Sequence, residues 1–229
     1  MQNEDGRLWL ALLLLATSLP VFGADPEVKA GGVVLTLPAP AGDFAESGDK
    51  LRTTFFEPLV PSTNRLLDAY LPAQTLAAVN AGKAPGTLDM YAMVEVARRT
   101  EYAECTPQAF EQVVKGAEPS MGTFVQNQAG DLADELNIRL KSLGAKPLEI
   151  GRVEMLGGLF KKPDAFGFAL LTAYKQGDRS VTMASGMAVL RVRQRLIFAY
   201  LFRKYESPDT ISWLHRNLEA WADAILAKN

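Results

Sequence analysis

Arg191, Arg193 and Arg195 are the residues of this sequence best spaced to do chemistry. On one continuous strand a period of two puts all three on one side. If a hairpin turns at Arg193-Gln194 instead, they cluster at its tip. Planar guanidinium groups match the geometry of carboxylates and phosphates. The trio is therefore the candidate site for an acidic protein or a small anionic ligand. The competing expectation is that these arginines pair with acids on neighbouring strands, such as Glu95 or Glu154.

Other reactive residue types are few. Cys105 is the only cysteine and His215 the only histidine. Together they would make a Cys–His dyad, and Thr106-Pro107 looks like a helix start that would lower the thiol pKa. The plainer expectations are a buried small side chain and a boundary histidine beside Glu219. Asp131, Asp134 and Glu135 would suit a hard cation, but acids also favour a helix start for its positive dipole end. Trp213 and Trp221 either line an apolar cleft or, as the simpler reading, anchor the last helix. There is no G-x-S-x-G elbow, no P-loop and no G-x-G-x-x-G before a helix. A single histidine excludes a multi-histidine metal site. No catalytic residue, metal site or cofactor is assigned.

These residues need a scaffold, and the pattern predicts an α+β domain: one antiparallel sheet with helices packed on it and a long C-terminal helix. Strands are expected at Gly32–Leu37, Asn64–Leu71, Leu88–Arg99, Leu148–Phe160 (bent at Gly157-Gly158) and Phe166–Tyr174. The run from Ser180 to Tyr205 is too long for one strand. It is divided near Arg193-Gln194, with Ser185-Gly186 as the alternative. Asp25–Gly32 reads as a loose leader and Leu76–Thr87 as an exposed excursion. Helices are expected at Pro107–Ala117 and Gln126–Leu143, the latter closed by Gly144 and Pro147. The last helix has Ser207 as cap, Pro208 as first residue, and a stripe of Ile211, Leu214, Leu218, Trp221, Ala222 and Ile225.

Two stretches resemble a known family. Gly32-Val33-Val34-Leu35-Thr36-Leu37-Pro38-Ala39-Pro40-Ala41-Gly42-Asp43-Phe44 is similar to the opening of a family of exported bacterial proteins of unknown function. The tail is similar too: Arg195 to Phe202, Tyr205, Ile211-Ser212-Trp213-Leu214, Trp221 and Asn229. The order of elements resembles the α/β sandwich of PsbP-type photosystem proteins, which implies a binding or assembly module. Neither resemblance carries a catalytic motif.

The almost unbroken apolar run from Trp9 to Leu19, with Pro20 and the small residues Gly23 and Ala24, has the layout of a secretory signal peptide. It is short for a bilayer span, which needs about 20 apolar residues. The expected division is a signal peptide over 1–23 and one domain over 24–229, placing the mature chain in the periplasm or outside the cell. An uncleaved anchor is the rival, and only then is a membrane a partner. Hydrophobic residues at 48% and charged residues at 22% fit a globular domain. Charge is uneven: Ala24–Leu136 holds 8 Lys+Arg against 16 Asp+Glu, and Asn137–Lys204 holds 13 against 4. The chain is not basic overall, which argues against nucleic acid. The expected function is a non-catalytic binding or assembly role in the bacterial envelope, with an envelope enzyme of unrecognised site as runner-up.

Overall fold

The computed structural model describes residues 25–83, 88–142 and 147–229. The signal-peptide segment and the Gly144 cap lie outside them. The chain begins with two short strands, β1 (Glu27–Ala30) and β2 (Val33–Thr36), which pair with each other alone. Next come β3 (Phe44–Glu46), the helical turn α1 (Asp49–Leu51) running on through Leu59, β4 (Asn64–Pro72), helix α2 (Ala73–Asn80) and β5 (Met90–Ala97). Helix α3 (Pro107–Ser142) is followed by four long strands: β6 (Glu149–Lys162), β7 (Ala165–Gln176), β8 (Arg179–Val192) and β9 (Arg195–Lys204). Helix α4 (Pro208–Ala227) closes the chain.

Seven strands form one antiparallel sheet in the order β3-β4-β5-β9-β8-β7-β6. The architecture is thus mixed α/β with a large antiparallel sheet. It is not a single sheet, because β1 and β2 stand apart as a second one. The supposed loose leader is β1: it pairs Glu27 with Thr36 and Ala30 with Val33, and Ala30 is fully buried. Four residues are too few to show a period. The supposed excursion after Pro72 begins as helix α2. The two helices expected between 107 and 143 are one. Phe110 and Val114 hold its first turns on the sheet, and Arg139, donating to the Val60 carbonyl, ties down its last turns.

Alternation along the strands gives the sheet two apolar faces. On one, Ala184, Ala188, Ala199 and Leu201 meet Leu214, Leu218, Trp221 and Ile225 of α4. Ala184, Gly186, Ala188 and Ala199 are small, so the helix sits close: a Cβ on Gly186 would lie 3.0 Å from Leu218. Ala30, Leu35 and Leu37 extend this core. On the other face Phe166, Phe168 and Val189 pack under the start of α3, and Leu66, Ala69 and Met93 pack under Phe56 and Val60. The cap of α4 is as expected, Ser207 Oγ accepting the Asp209 N–H at 3.3 Å.

Candidate functional site: the tip of the β8–β9 hairpin

Strand β8 ends at Val192 and β9 starts at Arg195, so the connection is Arg193-Gln194 alone. β8 runs unbroken through Ser185-Gly186. A two-residue hairpin that matches strand twist needs positive φ at both positions, which is why Asn-Gly is favoured there. Here φ is 45° at Arg193 and 61° at Gln194. A left-handed conformation costs a non-glycine residue roughly 1–2 kcal/mol. The turn is braced from outside: the Cys105 N–H donates to the Gln194 carbonyl at 2.9 Å.

The turn also separates the three arginines, which do not share one side. Arg191 pairs in register with Leu196, on the α3 face. Arg195 pairs with Val192, on the α4 face. Arg191 is held by Asp164 of the β6–β7 turn, Nε to Oδ1 at 2.6 Å. Arg195 spends its guanidinium on carbonyls, reaching Gly31 at 3.2 and 3.3 Å and Ala103 at 3.4 Å. Arg193 is exposed at the tip, and among the described residues its side chain hydrogen-bonds the Val34 carbonyl alone, at 3.4 Å. Among the described residues no carboxylate lies within ion-pair reach of it. The strand acids named as partners are engaged elsewhere: Glu95 accepts from Asn64 at 2.8 Å, and Glu154 faces Arg152 at 3.4 Å.

The surroundings of the tip are bound together tightly. The Gly31 N–H donates to Glu101 at 3.3 Å, and Arg65 donates to both Glu101 and the Lys29 carbonyl. The Arg65 guanidinium holds the Glu101 carboxyl below its usual range. Gly31 has φ 56°, and a Cβ there would fall 2.0 Å from the Glu101 carbonyl, so only glycine fits.

The other candidates separate. Cys105 packs on the α3 face of the sheet with Phe110 and Val189, whereas His215 lies on α4 against the opposite face. The two cannot form a dyad. Burial pushes the Cys105 thiol up, the reverse of activation. His215 sits 3.5 Å from Glu219, as a boundary histidine would. Glu135 is engaged by Arg139 and by the Ser62 N–H at 2.7 Å. The Asp131 side chain lies outside the described residues. Trp221 is fully buried, crosses Tyr70 edge to face at 5.7 Å, and donates to the Pro38 carbonyl at 2.7 Å. Trp213 carries the Arg203 guanidinium 4.7 Å above its ring.

Two buried carboxyl groups escaped the sequence reading. Asp68 is 2% exposed and Glu95 3%. Burial raises Asp68 to about 6 and Glu95 to about 7. Asp68 accepts the Ala69 N–H through Oδ1, while Oδ2 has no partner and the Tyr70 hydroxyl is spent on Leu37. A charge inside the apolar run Leu66-Leu67-Asp68-Ala69-Tyr70 was the available signal. They do not form one site: Asp68 shares the α4-side face with Tyr70, and Glu95 shares the other with Met93. At the far end of β6–β7–β8 lies a groove of roughly 350 Å³, lined by Gly151, Ala173, Tyr174, Ser180 and Thr182. Its charged residues Glu149 and Lys175 face each other at 3.5 Å.

No protein-family model matches this sequence, and no curated protein matches it. Among solved structures the chain is similar to the cyanobacterial PsbP protein (CyanoP) of Synechocystis. The identity is 12% over 93% of this chain and 96% of that one, with a TM-score of 0.37. It is also similar to the Ran-binding protein Mog1p of Saccharomyces cerevisiae, at 13% identity, 89% of each chain and a TM-score of 0.29. A Mog1 point mutant gives 15% identity, 89% and 92% coverage and a TM-score of 0.32. At such scores these likenesses carry no argument about function, and the architecture rests on the strand order and register above.

Proposed function

We propose that this chain is an exported, non-catalytic binding or assembly protein of the bacterial cell envelope, and that it engages its partner through the β8–β9 hairpin tip. The observation that carries this reading is the fate of the three arginines. Two are consumed by the fold, and the third is held out on a strained, braced turn with no carboxylate among the described residues to meet it. Local strain that persists in a well-packed structure points to a use for the strained residue. The apolar run Trp9–Leu19 before the domain supports export.

Crosslinking and pull-down from intact cells test the proposal, comparing wild type with Arg193→Glu. Arg191 and Arg195 stay in place, because removing either would strip a structural contact and confuse misfolding with lost binding. We expect a partner captured from the extracytoplasmic fraction by wild type and lost from a variant with unchanged thermal unfolding. The same partners captured by both would overturn the reading.

A further inference from the structure

Arg193 does not stand alone at this end of the sheet. Tyr102 is 76% exposed, on the loop whose Ala103 carbonyl accepts from Arg195 and whose Cys105 N–H grips Gln194. Val34, whose carbonyl meets Arg193, is 38% exposed and pairs in register with exposed Lys29. Arg98 is exposed nearby, its Nε tied to the Asn64 carbonyl at 2.9 Å. Of the acids flanking Tyr102, Glu101 is taken up by Arg65, and Glu104 forms no ion pair with Arg193 among the described residues. A tyrosine and an arginine are the residue types that most often carry interface hot spots. Both sit on backbone already fixed by hydrogen bonds, so little ordering is lost on binding.

From this we infer that the hairpin tip, with Tyr102 and Val34, docks an acidic segment of a protein partner, Arg193 taking a carboxylate while Tyr102 covers an adjoining apolar side chain. The inference rests on the binding reading above and names its partner class. A protein segment is favoured over a polyanion by the charge of the molecule. With a net charge of -2 the chain has no basic excess to hold a long polyanion or an anionic membrane, whereas a short acidic stretch meets only the local basic end. The fork alone suits carboxylate and phosphate equally, and the exposed valine and the exposed ring on the adjoining loop favour a carboxylate next to an apolar residue over an isolated phosphate.

The test is NMR titration of the full chain with three probes. They are a synthetic decapeptide of Glu and Asp around one Leu, its Gln/Asn counterpart, and inorganic phosphate. We expect the acidic peptide alone to move the signals of Arg193, Gln194, Tyr102 and Val34, and to bind more weakly at high salt. Arg193→Gln and Tyr102→Ala, each with unchanged thermal unfolding, should weaken binding by about tenfold. Arg193→Lys should fall between, keeping charge without the fork. Shifts mapping elsewhere, an equal response to the Gln/Asn peptide, or no effect of Tyr102→Ala would overturn the inference. A phosphate response as strong as the peptide's would also overturn it, yet would leave the binding reading standing, since that falls only by the crosslinking comparison.

Discussion

Glu95 and Asp68 are buried carboxyl groups that make the stability of the fold depend on pH. Each is almost fully buried, and burial disfavours the charged form. Asp68 titrates at about 6 and Glu95 at about 7, well above ordinary carboxylates. The folded chain therefore keeps protons that the unfolded chain releases. The stability tied to these groups is whole below about pH 4. It is lost as pH rises, through about 6 for Asp68 and about 7 for Glu95. A shift of this size corresponds to roughly 3 kcal/mol per group as an upper bound. Glu95→Gln keeps an acceptor for Asn64 and removes the ionisation. Urea unfolding between pH 5 and pH 8 should show wild type losing stability, with the Gln variant losing distinctly less. Parallel curves for the two would mean that Glu95 does not titrate in this range. Asp68 stood out only as a charge inside an apolar run, and Glu95 gave no such signal, because strand alternation alone does not tell a buried carboxyl from one on a solvated face.

The β8–β9 hairpin shows how an element can be legible while its side chains are not. The length of the run from Ser180 to Tyr205 forced a break, and Arg193-Gln194 is where it falls. The arginines were not legible to the same degree, because a two-residue turn sends Arg191 and Arg195 to opposite faces. Elements also went wrong where local signals were weak. β1 is too short to show alternation. The stretch between the two expected helices holds Pro119 and Gly122, both unfavourable in helix interiors, yet α3 continues through it because tertiary contacts hold both of its ends. At the turn itself the backbone demands left-handed residues, and Arg-Gln is a costly choice. Replacing the pair by Asn-Gly should relieve the strain and raise stability by about 1–2 kcal/mol. Capture of the partner should be lost in the same variant. Thermal and urea unfolding check the first half. A protein no more stable than wild type would show that the turn is not strained and would remove one support of the proposed function.

At the scale of the whole molecule, the two family-like stretches at the ends of the sequence prove to be one structural unit. The Trp221 indole donates to the Pro38 carbonyl, and the Asn229 side-chain amide pairs with Thr36, accepting its N–H at 2.9 Å and donating to its carbonyl at 2.8 Å. Lys228 meets Asp25 at 2.8 Å, and the Tyr70 hydroxyl reaches Leu37 at 2.9 Å from the central sheet. Motif reading found both halves but not their contact, since separation along the chain hides proximity in space. With one cysteine and hence no intrachain disulfide, contacts such as these join β1 and β2 to α4. Trp221→Ala removes the largest fully buried side chain and should cost about 3–5 kcal/mol. Trp221→Phe keeps most of the ring packing against Tyr70 but leaves the Pro38 carbonyl without its donor, a loss of about 1–3 kcal/mol. Hydrogen exchange separates global from local damage. If the ends are one unit, the amides of β1, β2 and α4 lose protection together in Trp221→Phe, while those of β7 and β8 stay slow. Loss confined to α4, with β1 and β2 still protected, would show that the small sheet is held by Arg65, Glu101 and Arg195 at Lys29 and Gly31, and not by the helix.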